Sequence, residues 1–275
     1  MLIKRVRALL AVVVVLLLAA WGWGRIQPSN VREWSQGQER LPTGQIAGDS
    51  VTIYNVRDFD YDTTGRVLAT AYVRRSYDLT KLATIWFILA PFDPDNRGPA
   101  HSFLSFGFAD SQFVAISVEA RKEKDETYSI LKGLLKRFEI MYVVGTETDL
   151  IRLRVARGDD VYLYPIRAPQ QKIRQVFVQM LERANALAEA PEFYNTITNN
   201  CTTNILRHAN SVATRKIPYG RDVLLPGYAD ELAVKLGLID TDLPVEEARK
   251  RFRINARATR AFHDERFSLR IRDAE

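Results

Sequence analysis

The sequence predicts an α+β domain, an antiparallel sheet packed on helices, preceded by one N-terminal transmembrane helix. Three observations carry this reading. Strand-like runs fill much of residues 51–167, residues 169–191 form one long amphipathic helix, and residues 8–23 contain no charge. Strands, a helix, strands and then helices is the order of an α+β fold with an antiparallel sheet. A chain of 275 residues that is 47% hydrophobic and 26% charged can bury a sizeable core.

The N-terminus reads as an anchor. Lys4, Arg5 and Arg7 precede ALLAVVVVLLLAAWGW. As a helix those sixteen residues span roughly 24 Å, short against a hydrocarbon core of about 30 Å. Trp21 and Trp23 stand where an interfacial belt would lie, and no A-x-A site follows. Ala20-Trp21-Gly22 keeps a cleaved signal segment open as the alternative. The basic flank should remain cytoplasmic, which places the rest outside the inner membrane, in a bacterium the periplasm.

Three of the 39 basic residues are Lys4, Arg5 and Arg7, and no acid lies in residues 1–24. Residues 25–275 therefore carry 36 basic against 33 acidic side chains, weak grounds for nucleic-acid binding. The run RKRFRINARATR at 249–260 reads as a solvated helix face.

Residues 25–44 are polar and turn-rich, a linker with one short helix. VTIYNVRDFDY (51–61) begins as a strand, and RVLATAYVRRSYDL (66–79) and TKLATIWFILAPF (80–92) each read as another. The proline-rich stretch 91–100 is a loop. HSFLSFGF (101–108) and FVAISVEAR (113–121) flank ADSQ as a hairpin. ETYSILKGLLKRF (126–138) looks helical. EIMYVVGT (139–146), LIRLRVAR (150–157) and VYLYPIR (161–167) look like strands, with a tight GDD turn between the last two.

In 169–191, Ile173, Val176, Phe177, Met180, Leu181, Ala184 and Leu187 fall at helical spacing, between Pro169 and Pro191. Asn199 or Asn200 can cap a helix from Cys201 to about Val212. YADELAVKLGL and PVEEARKRF predict two C-terminal helices. The expected division is 1–24 membrane anchor or signal segment, 25–45 linker, 46–215 main α+β domain and 216–275 helical extension.

Cys201 is the only cysteine, so no internal disulfide can form. In the first turn of a helix it would meet unpaired backbone N–H groups, which favour a thiolate and can bind an oxyanion. Asn200 and Thr202 are therefore candidate oxyanion or positioning residues. A thiol nucleophile needs a base. His263 lies in a polar, Arg-rich tail. His208 is seven residues beyond Cys201, about 10 Å along the helix axis. That leaves His101. If the hairpin pairs Ser105 with Ala115, His101 faces Glu119, close enough for the carboxylate to orient the ring. A one-residue slip would separate them. The competing reading is a buried, inert cysteine and a salt-bridged surface Glu119 beside Arg121 or Lys122.

HSFLSFGF, ISVEARKEKDETYS, MYVVGTETDLIRLR and YNTITNNCTTNILRH resemble, in order, the bacterial Lnb N-terminal periplasmic domain family. REWSQGQERLP and VTIYNVRDFDY also fit, so the resemblance covers roughly residues 30–215. The family in turn looks like a distant relative of circularly permuted, papain-like NlpC-type hydrolases, in which the His strand precedes a polar residue and the Cys helix comes last. That likeness implies a circularly permuted papain-like fold, with His101 as base, Glu119 as orienter and Cys201 as nucleophile. It also implies acyl transfer on an amide or ester of a peptide, lipid or lipoprotein. CTTNI lacks the histidine that such enzymes often place just after the cysteine.

No carboxylate pair at defined spacing suggests glycoside hydrolysis. There is no metal-ligand spacing, no phosphate-binding glycine loop and no cofactor motif. A non-catalytic periplasmic binding or scaffold module of the cell envelope is the alternative function.

Overall fold

The computed structural model describes residues 2–93 and 96–273; in the first helix the side chains of residues 2–4, 6, 8, 11, 19 and 20 lie outside the description. That helix, α1, runs Leu2–Arg25, and its described side chains from Val12 to Leu18 are all exposed. Among the described residues no helix is long and apolar enough to cross a membrane. The anchor expected over 8–23 falls partly on side chains outside the description.

The chain then forms β1 (Thr43–Ala47), β2 (Ser50–Arg57), β3 (Asp60–Tyr61), β4 (Val67–Ala69), β5 (Tyr72–Asp78), β6 (Leu82–Pro91), β7 (Ala100–Phe108) and β8 (Phe113–Arg121). There follow α2 (Ile130–Leu134), β9 (Glu139–Gly145), α3 (Glu147–Ala156), β10 (Tyr162–Pro165), α4 (Gln170–Glu189) and α5 (Cys201–Val212). Short helices close the chain: α6 (Arg221–Leu224), α7 (Ala229–Lys235), α8 (Val245–Phe252), α9 (Asn255–Arg260) and α10 (Phe267–Arg270).

The main sheet has the order β1-β2-β9-β8-β7-β6-β10, with β5 also on β2. All its pairs are antiparallel except β2–β9, which meet in parallel at Arg57 and Gly145. Strand alternation sorts side chains to two faces. Leu104, Phe106, Ile116 and Tyr142 point to the face that carries α4 and α5. Phe103, Ala115, Met141 and Val143 point to the other face, closed by Leu150 and Ile151 of α3 and by C-terminal residues such as Ala258 and Phe267. All seven residues expected on the buried stripe of α4 are buried.

Five local expectations are corrected. The run 150–157 is not a strand: residues 150–156 are helix. Ile151, Leu153 and Val155 alternate with arginines, but Thr146 caps the segment by accepting from the Asp149 N–H at 3.2 Å. The T-x-x-D signal outweighs the alternation. In 126–138 only Ile130–Leu134 is helical. Gly133 is pressed so close to the Thr196 hydroxyl that a Cβ would lie 2.2 Å from it, and Lys136 takes a left-handed φ of 51° soon after. The 66–79 run is two strands, because β4 pairs with β3 while β5 pairs with β2.

The 249–260 run is not one solvated face. Arg249 is buried and bonds both oxygens of buried Asp230, at 2.9 and 3.1 Å. Asp230 also accepts from Tyr164 and Arg97.

The short helix expected in the linker does not form: residues 26–42 contain no helix. They form a strap across β8 and β9. Asn30 donates to the carbonyls of Leu187 and Ala188, and Ser29 N–H to Glu139. Trp34 lies under the Arg121 guanidinium at 3.9 Å. Arg121, 2% exposed, donates to the carbonyls of Gln38 and Glu39 and to Asn30 Oδ1. Burial lowers its pKa to about 10.

Candidate functional site

The β7–β8 hairpin has the register that brings His101 and Glu119 together: Ser105 pairs with Ala115 and Phe103 with Ser117. His101, Ser117 and Glu119 share one face of adjacent strands. The contact between them is not direct. His101 Nε2 lies 2.7 Å from Ser117 Oγ, and Ser117 Oγ donates to Glu119 Oε1 at 3.0 Å, whereas His101 Nε2 and Glu119 Oε1 are 3.9 Å apart. With Ser117 donating to the carboxylate, Nε2 is the donor to Ser117. The imidazole then carries its proton on Nε2 and keeps the Nδ1 lone pair free. The ring also stacks on Phe103 at 5.5 Å.

Burial, helped by the Arg154 charge, lowers the His101 pKa to about 3, so the ring is neutral at pH 7. Burial opposes the Glu119 charge, but Arg57, His101, Arg154 and the Ser117 hydroxyl together bring its pKa down to about 2. Gln38 of the strap donates to Glu119 Oε2 at 3.3 Å and to the Ala120 carbonyl at 3.1 Å. Arg57 is held by Asp149 at 2.8 Å through two guanidinium nitrogens, and Arg154 lies 3.6 Å from Asp159.

Cys201 opens α5, and Asn200 is its cap. The Asn200 side chain accepts from Thr203 N–H at 2.9 Å, while the Thr203 hydroxyl accepts from Asn200 N–H at 2.8 Å, a reciprocal capping box. Ser102 and Thr202 hydroxyls meet at 3.1 Å and tie this end of α5 to β7, beside His101. The thiol is free, 7% exposed, and 3.7 Å from Thr202 Oγ1.

A cavity of about 490 Å³ is lined by Cys201, His101, Ser117 and Glu119, together with Gln38, Arg57, Arg154 and Arg157. The two groups reach it from different sides. Cys201 belongs to the core on the α5 face, whereas His101 shares its face with Phe103. No hydrogen bond joins thiol and imidazole among the described residues. Asn200 and Thr202 do not line the cavity. Asn200 is spent on the cap, and its amide donates to the Thr196 carbonyl. Thr202 faces a second, apolar cavity.

His208 accepts or donates to Tyr142 OH at 2.7 Å and is buried, and burial lowers its pKa to about 4. His263 is exposed. Among the described residues no group of three or more His, Cys, Asp or Glu is placed to hold a metal.

Sequence reasoning missed Ser117, Gln38, Arg57 and Arg154. Ser117 was within reach of it, since it stands two residues before Glu119 on the same strand face. Gln38, Arg57 and Arg154 come from distant segments, and no local signal marks them.

A family model described as the Lnb N-terminal periplasmic domain matches residues 69–226. The match starts and ends later than the 30–215 resemblance read from the sequence blocks. No curated protein and no solved structure matches the chain.

Proposed function

Because this chain belongs to the Lnb N-terminal periplasmic domain family, we propose that it is an envelope protein, held at the inner membrane by α1 with its main domain in the periplasm. Its 490 Å³ cavity carries out thiol-dependent acyl transfer or hydrolysis on an amide or ester of a peptide, lipid or lipoprotein. The observation that carries the proposal is the shared lining of that cavity by Cys201, His101 and Glu119.

In this reading His101 takes the thiol proton at Nδ1, and sulfur attacks the substrate carbonyl carbon. The carbon–nitrogen or carbon–oxygen bond then breaks, and the imidazolium returns its proton to the leaving group. Water or an acceptor alcohol or amine releases the acyl group from sulfur. Glu119 acts on the imidazole through the Ser117 hydroxyl, fixing the tautomer that leaves Nδ1 free. Backbone N–H groups at the start of α5, fixed by the Asn200 cap, face the developing oxyanion. The fold is read as a circularly permuted papain-like arrangement, with the His strand before the Cys helix.

The test is the rate at which Cys201 reacts with an electrophilic thiol probe at neutral pH. The native protein should react about 100-fold faster than His101→Ala, the lower end of a general-base effect. Equally slow labelling of the two overturns the proposal.

One observation favours a second reading, a non-catalytic binding module. Cys201 and His101 approach the cavity from opposite faces of the sheet. The arginine-rich wall around Glu119 would then recognise a partner without chemistry. An in vivo phenotype that survives Cys201→Ser but is lost on deletion of residues 1–24 selects this reading.

A further inference from the structure

We propose that a second cavity, between α4, α5 and α7, binds a single alkyl chain bearing an anionic head. The cavity measures about 520 Å³, within the size range of small-molecule sites. Its floor is Ile85, Phe87 and Leu104 of β6 and β7. Ile173 and Val176 come from α4, Ile205 and Ala209 from α5, and Leu232 from α7, while Leu236 is the residue that follows α7.

Every charged residue lining it is cationic: Arg167, Lys172, Arg215, Lys216 and Lys235. Arg167 is paired with Asp240 and Asp242, Lys172 bonds the Thr214 hydroxyl, and Lys216 bonds the Asn210 carbonyl. Arg215 and Lys235 are exposed, and no side-chain hydrogen bond or ion pair engages them among the described residues. An apolar interior gains by burying methylene groups, and a purely basic rim disfavours a cationic head. A carboxylate or phosphate on one alkyl chain satisfies both parts. A peptide helix would leave its backbone termini against the apolar floor.

The third wall, α7, lies beyond residue 226, where the family match ends. This site is therefore assembled partly from a segment outside the matched region. It touches the start of α5: Thr202 lines it, and Thr202 Oγ1 is 3.7 Å from Cys201 Sγ. Binding needs no reaction at the thiol, so this inference and the acyl-transfer reading fail independently.

The test uses the full chain in phosphatidylcholine nanodiscs and a diazirine-bearing dodecanoate. After photolysis, mass spectrometry should place the label on the peptides holding Ile205–Val212 and Leu232–Leu236. Dodecanoate and dodecyl phosphate should each compete, and whichever competes at lower concentration identifies the preferred head. Dodecyltrimethylammonium should compete about tenfold less well, because it meets only like charge. Ala209→Trp, which fills the cavity, should abolish labelling there. The exposed pair Arg215→Glu with Lys235→Glu, which leaves the apolar lining intact, should weaken competition by dodecanoate about tenfold. Label confined to α1, or equal competition by the cationic amphiphile, overturns the inference.

Discussion

The Arg57–Asp149 pair offers the sharpest quantitative test of how the site wall is built. Asp149 is fully buried and accepts four hydrogen bonds: two from Arg57 at 2.8 Å, one from Phe59 N–H and one from Tyr61 OH, both at 3.0 Å. Arg57 is 6% exposed. Asp149→Asn keeps the shape and removes the charge. It deprives the buried guanidinium of its directly bonded counter-ion, which costs about 3–5 kcal/mol when one partner of a buried pair is lost. For a chain of this size each kcal/mol moves the melting temperature by about 2–4 °C, so the midpoint should fall by about 6–20 °C. Tyr61→Phe removes one neutral donor from the same carboxylate and should cost only about 1 kcal/mol. Replacing both partners, Arg57→Met with Asp149→Leu, should recover most of the loss, since the desolvation cost of both charges disappears. Circular-dichroism melts of the full chain in detergent read all four proteins. An Asp149→Asn loss no larger than that of Tyr61→Phe would refute the argument, because the charge would then not govern the cost.

Three further outcomes are expected. His101 and His208 have folded pKa values lowered to about 3 and 4 from an ordinary 6.5, so the stability of keeping both neutral is complete above pH 6.5. It should be lost as pH falls from there through 4 and 3, and His208→Phe should flatten part of that slope in acid-unfolding curves. Ser117→Ala should slow probe labelling of Cys201 by about five- to tenfold, the worth of one hydrogen bond, without lowering the melting temperature as far as Asp149→Asn does. A Cβ on Gly227 would lie 1.4 Å from the Arg97 carbonyl oxygen, so Gly227→Ala must displace the loop before β7 and should cost about 1–3 kcal/mol in the same melts.

Much of the framework was legible because it obeys local rules. FVAISVEAR alternates over residues 113–121 and is β8, and the seven apolar positions of 169–191 wrap onto one helix face and are the buried stripe of α4. Asn200 followed by Thr203 is a capping signal, and α5 starts at Cys201. The hairpin register followed from ADSQ, since a short turn leaves little freedom to slide. LIRLRVAR misled because arginine alternation imitates a strand, while the capping threonine that overrides it stands four residues earlier.

The sequence by itself determined the α+β class, the family, the His101–Glu119 face and the placement of Cys201 at a helix start. Each depends on periodicity, on capping or on ordered motif blocks, and those are written within a few residues of one another. The tertiary structure added the hydroxyl of Ser117 between His101 and Glu119. It alone brought Gln38 of the N-terminal strap and Arg57 and Arg154 to the same wall, and it set the thiol and the imidazole on different faces of the sheet. Those facts depend on which strands pair and which face each helix covers. Contacts between distant segments are fixed by burial and ion pairing across the whole fold, and no local pattern encodes them.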